Sequence, residues 1–463
     1  VTARGDTRAR PPLKARRAAA LPDRVARSAA ASAGESADGI RKWLRQRREQ
    51  ASFAVDRIPF EALEDWSFAP GTGNLVHRSG RFFTVEGLHA VIGEHPDQEE
   101  WQQPVIVQSE VGILGILARE FDGVLHFLMQ AKMEPGNPEL LQLSPTVQAT
   151  YSNYTKVHQG ASVRYLEYFT DPSRGRVHSD VLQSEHGAWF HRKRNRNMIV
   201  EATGPVPEHE DFRWLTLRQI HELLRHDNTV NMDARSVLAG LPVRSTPYAL
   251  HSDTELLSWL AVRRAATPIR SERIPLAGVS GWKRGEFSID HEDGRYFRTV
   301  AVSVRASNRE VGHWTQPLIE PRGQGVVAFL TRTFQGVPHV LARARAEGGS
   351  TDVELGPTVQ CQPGNHAHLP AANRPRFLDL VTTAPPSRIR YSALHSEEGG
   401  RFLDSVSRYL ILEADESDAP LDAPPGFQWV SRDQLAALTR YSHYVNVQAR
   451  TLLLCLNALE DGV

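Results

Sequence analysis

A long internal repeat constrains this chain more than any other feature. "SADGIRKWL" (36–44) has a partner in "SDTELLSWL" (252–260), and "RIPFEALEDW" (57–66) in "RIPLAGVSGW" (273–282). "EWQQPVI" (100–106) matches "HWTQPLI" (313–319), and "PTVQ" occurs at both 145–148 and 357–360. "QSEHGAWF" (183–190) answers "HSEEGGRF" (395–402), "FRWLTLRQIHELL" (212–224) answers "FQWVSRDQLAALT" (427–439), and "VNMDARSVL" (230–238) answers "VNVQARTLL" (445–453). The offset stays within 212–216 residues, from the Thr146–Thr358 pair to the Ser36–Ser252 pair. That period is far too long for a solenoid. It implies two homologous domains, at 36–242 and 252–463. The linker, 243–251, overlaps "PVRSTPYAL" (242–250), which has two prolines and no apolar period.

Each half reads in the same order. A helix opens it, with Ile40, Trp43 and Leu44 on one face of the first copy. Strands follow at 80–92 and, in the second copy, 294–304. Asp122-Gly123 marks a hairpin between two apolar strands. "PTVQATYSNY" (145–154) continues in strand-like alternation. Helices are expected over "TLRQIHELLRH" and "SRDQLAALTRY", and a last one from each "VN" motif. The sum is an α+β fold with a mixed sheet in each half.

Composition then narrows function. The formal net charge of zero argues against a nucleic-acid or membrane-surface partner. No apolar run approaches the roughly 20 residues of a membrane span. The two cysteines, Cys361 and Cys455, stand in no metal or redox spacing, so a reducing cytoplasm is the expected location. Residues 1–35 are Arg/Ala-rich. We read no apolar period there and expect a disordered, dispensable tail.

The residue types that carry chemistry sit mostly in the first half. Thr146, Gln148, Thr150 and Ser152 would share one face of a strand. Such a neutral row of hydroxyls and amides suits a sugar, or else a solvated edge. Gln130, Lys132 and Glu134 alternate onto one face ahead of a Pro135-Gly136-Asn137 turn. They form either an acid–base site or a salt-bridged hairpin. Arg192, Arg194 and Arg196 alternate with Lys193, Asn195 and Asn197; a planar guanidinium row suits a diphosphate, or a protected basic edge. The Walker, dinucleotide GxGxxG, GxSxG and HExxH patterns are missing, and "HAH" (366–368) is too isolated to suggest a metal.

The strings "FLMQAKMEPGN", "QLSPTVQATYSNYTKVHQG", "QSEHGAWFHRKRNRN" and "FRWLTL…VNMDARSVL" resemble the NDP-hexose 2,3-dehydratases of deoxysugar biosynthesis. The likeness runs over essentially everything after the first stretch. It implies two Nudix-like domains per chain, a homodimer, and dTDP-4-keto-6-deoxyglucose as substrate, with a ketoreductase acting downstream. The Nudix hydrolase box itself is absent from this sequence, which favours dehydration over diphosphate cleavage. The alternative is a nucleotide-sugar-binding protein without activity.

The implied chemistry removes a proton from C3, acidified by the C4 ketone, and expels the C2 hydroxyl. It needs a base, an acid, donors for the enolate oxygen and cations for the diphosphate, and no cofactor. Glu134 or Glu185 is then the base, and Tyr154 or His158 the acid. Lys132 and Gln148 would stabilise the enolate, and Arg192, Arg194 and Arg196 would hold the diphosphate. Gln130, Asn137, Thr146, Thr150, Ser152, Asn153, Asn197, Asn231 and Arg235 complete the expected substrate contacts. Asn231, Asp233 and Arg235 look equally family-like but open a helix, where a cap is the alternative role of the Asn or Asp. The second half offers Ala344 for Lys132, "EGGS" (347–350) for "EPGN", and Arg408 alone of the arginine row, so the first half is expected to hold the active site.

Overall fold

Asp122 and Gly123 both take positive φ (49° and 78°), the backbone of a two-residue hairpin turn. They join Gly112–Phe121 to Val124–Met133, and Gln335-Gly336 (φ 50° and 83°) joins Gly325–Phe334 to Val337–Arg345. These hairpins are the centres of two seven-stranded mixed sheets, one per half, in a computed structural model describing residues 20–31, 34–96, 98–150, 163–307 and 312–460.

The first large sheet runs Gly175–Ser184, Arg194–Ala202, Gly112–Phe121, Val124–Met133, Phe212–Thr216, with Leu141–Ser144 and Val147–Ala149 paired beside the central hairpin. Arg194–Ala202 lies parallel to Gly112–Phe121 (Asn195↔Gly112 to Glu201↔Ala118); the other pairings are antiparallel. The second large sheet repeats this order, with Val406–Glu413 parallel to Gly325–Phe334. The mixed α+β architecture and the two repeated halves are thus as the sequence indicates.

The smaller sheets are not built half by half. Phe53–Ile58 leaves the first half and pairs with Phe297–Ala306 of the second (Phe53↔Ala306 to Ile58↔Ala301). Ile269–Ile274 crosses the other way onto Thr84–Ile92. Each five-stranded sheet therefore owns one strand from the other half. Cutting the chain at the linker would strip a strand from each and leave two open edges. The helices Met232–Leu238 and Val447–Glu460 also pack together, inside one apolar core that includes Phe127, Ile199 and Val237 with Phe329, Ile411 and Leu453.

The expected tail is in part a structural element. Ala20–Ala29 is a helix whose Leu21, Val25 and Ala29 are buried in that core. Their four-residue spacing is a helical stripe that the surrounding Arg and Ala conceal. Ser28 Oγ donates to Leu125 O at 2.5 Å and accepts from Leu217 N at 2.8 Å. Arg24 reaches Glu120 (2.8 Å) and Glu201 (2.9 Å). Ile40, Trp43 and Leu44 are buried on the next helix, Ala37–Gln50, capped by Ser36.

Candidate active site

The repeated "PTVQ" has a structural half and a chemical half. Thr146 Oγ1 accepts from Leu117 N at 2.9 Å and donates to Leu128 O, stitching the central hairpin where its strands part. Thr358 does the same between Leu330 N (3.0 Å) and Leu341 O. The glutamine two residues on faces an acid in both halves: Gln148 Nε2 lies 3.4 Å from Glu134 Oε1, and Gln360 Nε2 2.9 Å from Glu347 Oε1.

The strand register corrects one expected correspondence. Phe212 pairs with Gln130, and its repeat partner Phe427 pairs with Arg343. Two residues further on, Lys132 therefore corresponds to Arg345, not Ala344. Both halves keep a cation beside the acid: Lys132 Nζ–Glu134 Oε1 is 3.1 Å, and Arg345 Nε–Glu347 Oε1 is 2.9 Å.

Around Glu134 the first half gathers a buried set of ionisable groups. Lys132 also donates to Gln148, Gln148 donates to Asp233, and Asn137 Nδ2 lies 3.4 Å from Glu134 Oε2. Asn195 donates to Glu185 Oε1 at 2.7 Å and accepts from Gly112 N at 3.1 Å. Lys193 donates to Glu110 O. Glu185 is 5% exposed and Asp233 4%. Glu185 Oε2, Asp233 Oδ1, Asn137 Oδ1 and Glu398 Oε2 are buried with no hydrogen-bond partner among the described residues. Buried acceptors are rarely left so, which marks the cluster as built to receive donors.

Two members come from the second half. The Pro135-Gly136 turn after Glu134 abuts the 398–404 turn. Gly136 N donates to Gly399 O (2.7 Å), and Asp404 N donates to Gly136 O (2.9 Å). A Cβ at Gly136 would stand 1.7 Å from Phe402 O, so only glycine allows this approach. Glu398 and Arg401 are thereby brought to the first half's acids. Arg401 Nε donates to Gln108 Oε1 at 3.1 Å and lies over the Phe83 ring at 4.2 Å. The repeat enforces the reverse contact, Gly349 N to Gly187 O at 2.7 Å, so each site sits where the halves meet.

The proton affinities are displaced accordingly. Burial, then the charges of Glu398 and Glu134, push the Asp233 carboxyl up to about 7. Burial pushes Glu398 up to about 7 against the pull of Arg401, with Glu185 adding to the rise. Glu185 is raised by burial and Asp233, opposed by Arg450. Burial holds the Lys193 ammonium below its usual value. Carboxyls that hold protons near neutrality beside lysines suit proton transfer.

The structure sorts the expected site residues. Lys132, Glu134, Asn137, Gln148 and Glu185 fall in the cluster. Gln130 lies one strand alternation before Lys132, half-buried. Asn197 is buried nearby and donates to Ser236 Oγ at 2.8 Å. Thr146 is committed to the hairpin. Thr150 follows the short Val147–Ala149 strand; Ser152, Asn153, Tyr154 and His158 lie outside the described residues.

The arginine row does not face the cluster. Arg194 is exposed and Arg196 half-buried, while Lys193, Asn195 and Asn197 are buried on the opposite side. Arg196 forks onto Asp180 (Nε–Oδ1 2.9 Å), and Arg192 precedes the strand in a left-handed turn (φ 52°). Asn231 caps its helix, accepting from Ala234 N at 2.9 Å. Arg235 is fully buried, with Nη2 donating to Ser396 O at 2.7 Å across the halves, and Arg450 mirrors it on Ser184 O at 2.6 Å.

Lys193, Asn195, Glu398 and Arg401 were not among the expected site residues, and Asp233 was singled out only beside Asn231 and Arg235, with a helix cap as its alternative. The repeat held a signal for all five: it changes Lys193 to Ser405, Asn195 to Ser407, Asp233 to Gln448, His186 to Glu398 and Trp189 to Arg401. Only folding shows that these departures converge on one place.

The paired mixed sheets hold a buried carboxyl–lysine cluster of the kind that acid–base chemistry uses. The chain belongs to the NDP-hexose 2,3-dehydratase family, whose family model matches residues 37–241 and again 253–456. It is similar to three proteins named dTDP-4-dehydro-6-deoxy-alpha-D-glucopyranose 2,3-dehydratase. One, from Amycolatopsis orientalis, is 61% identical over 94% of both chains. One from Streptomyces violaceoruber is 49% identical over 91% of this chain and 97% of its own. The third, from Saccharopolyspora spinosa, is 48% identical over 90% of each.

Proposed function

We propose that this chain dehydrates dTDP-4-keto-6-deoxyglucose across C2 and C3, and that the cluster around Glu134, Glu185 and Asp233 performs the reaction. The single observation that carries the assignment of the site is the set of buried, unpartnered carboxyl oxygens with raised proton affinity. The relatives' names support the substrate.

Glu185 is the base. One oxygen is engaged by Asn195 and the other is buried with no partner among the described residues, and its raised proton affinity strengthens it as a base. It takes the C3 proton, and the electron pair runs onto the C4 oxygen, where the Lys132 ammonium meets the enolate. Asp233, poised near 7, gives its proton to the C2 hydroxyl, which leaves as water. The resulting enol relaxes to the 3,4-diketo-2,6-dideoxy sugar. Glu134 holds Lys132 and Gln148 in place. Tyr154, His158 and the exposed arginines keep their sequence-derived roles as secondary candidates, the arginines for the diphosphate.

The rest of the reading rests on the family resemblance. It takes the halves as Nudix-like folds without hydrolase carboxylates and the assembly as a homodimer. It places the enzyme in cytoplasmic natural-product biosynthesis, with a ketoreductase consuming the product. The free thiols of Cys361 and Cys455 suit a reducing compartment. No described helix is long and apolar enough to cross a membrane.

Mass spectrometry of the sugar nucleotide after incubation in deuterated water tests the reading. Wild type should yield a product that has lost one water and carries one solvent deuteron at C2. Asp233→Asn should stall that loss yet still wash deuterium into C3, because the base survives. Wild-type protein that never loses water from this substrate sinks the assignment.

A further inference from the structure

The hexose of the proposed substrate has two free hydroxyls, since C4 is a ketone, C6 a methyl and C1 carries the diphosphate. The leaving C2 hydroxyl needs a proton donor. The C3 hydroxyl stays on the ring and needs an acceptor.

The cluster holds four buried acceptor atoms with no hydrogen-bond partner among the described residues: Glu185 Oε2, Asp233 Oδ1, Asn137 Oδ1 and Glu398 Oε2. The proposed mechanism assigns Glu185 to the C3 proton and Asp233 to the C2 hydroxyl. Asn137 Oδ1 is covered by backbone, lying 2.0 Å from where a Cβ of Gly399 would be. Glu398 Oε2 is left.

The other site shows what this position becomes when it is closed. There the repeat places His186, whose Nε2 pairs with Glu397 Oε2 at 2.7 Å. Tyr409 donates to the remaining oxygen of Glu397 at 2.9 Å. That carboxylate has no open atom. In the first site Glu398 Oε2 has no such partner among the described residues, and the charges of Arg401 and Lys193 act on the carboxyl against those of Glu185 and Glu134.

We propose that Glu398, carried by the second half, is the specificity-determining residue of the first-half site that accepts a hydrogen bond from the sugar's C3 hydroxyl. The inference rests on the dehydratase reading. It gives the second half a direct part in substrate recognition: the first half cannot read C3 without the turn its duplicate supplies.

The test uses the full chain and ligands that lack the C2 hydroxyl, so no elimination occurs. Calorimetry compares dTDP-4-keto-2,6-dideoxyglucose with its 3-deoxy counterpart. Wild type should prefer the first by tenfold or more, and Glu398→Ala by less than threefold. Should the alanine variant fold poorly by circular dichroism, Glu398→Gln serves, with a preference reduced at least threefold from wild type. A variant that weakens both ligands equally and keeps the wild-type ratio assigns Glu398 a general electrostatic role and overturns the proposal. A wild-type ratio near one overturns it as well. Failure of the function itself shows separately, as absence of water loss from the natural substrate.

Discussion

The two halves carry the same residues at the structural positions of their sites, share Glu134/Glu347, Gln148/Gln360 and Glu185/Glu397, and differ in what surrounds those acids. Thr146 and Thr358 make the same stitch, Gly136 and Gly349 the same close approach, Arg235 and Arg450 the same clamp. Around that frame the first site holds Glu185, Asp233 and Glu398, each with a buried oxygen that has no hydrogen-bond partner among the described residues. The second holds Glu397 saturated by His186 and Tyr409, with Gln448 in place of Asp233. Burial pushes the Glu397 carboxyl up, but the His186 imidazole beside it wins and holds it below its usual range. One scaffold thus leaves one carboxyl oxygen without a partner among the described residues and saturates its copy, by what each lone pair meets.

The largest effect should fall on turnover. Glu185→Gln is expected to lower kcat by about a thousandfold, within the usual span for a general base. Glu397→Gln, in folded protein, should stay within a few fold. Equal losses would mean that both sites work.

Next is the first helix. Removing residues 1–35 takes Leu21 and Val25 from the core. At ~1.5–3 kcal/mol for each large side chain, we expect a loss of about 3–5 kcal/mol by urea unfolding. A truncated chain as stable as the full one would show that the helix contributes nothing.

The third comparison concerns stability and has opposite signs in the two sites. Glu397 has a depressed proton affinity, so its stabilisation is present above its unfolded pKa and lost on acidification. Glu397→Gln breaks a buried pair and should cost about 3 kcal/mol at pH 8. Asp233 is raised to about 7, so folded protein binds that proton more tightly and stability falls as pH rises from the usual carboxylate range through 7. Asp233→Asn should therefore stabilise the chain by about 1–2 kcal/mol at pH 8 and by little at pH 5, at the expense of activity. Thermal melts at both pH values decide it. The same group gives the smallest-window kinetic test: wild-type kcat should fall above about pH 7 as Asp233 loses its proton, and a flat alkaline limb would remove Asp233 as the acid.

The smallest effect is expected at Arg194. Its side chain is exposed on the face away from the buried cluster, so Arg194→Ala should leave kcat within threefold, any effect appearing in KM. A collapse of kcat would bring the arginine row into the chemistry.

The sequence by itself determined the duplication, the α+β order of elements, the hairpin turns and the family. Those are local or collinear properties: Asp122-Gly123 fixes its turn through backbone φ alone, and matched strings need no fold to be aligned. It also singled out Lys132, Glu134, Gln148 and Glu185, which lie inside the longest matching strings. Tertiary structure decided the rest. Phe53–Ile58 has the same strand signal whichever sheet it joins, so only packing could reveal the exchange between halves. The Arg192–Arg196 alternation was legible, but which face turned inward depended on the Asn195–Glu185 and Asn197–Ser236 bonds. Glu398 lies more than 200 residues from Glu185 in the chain. Its place in the first site follows from the contact between two glycine turns, and the partners of a buried charge are set by three-dimensional neighbours that no local pattern records.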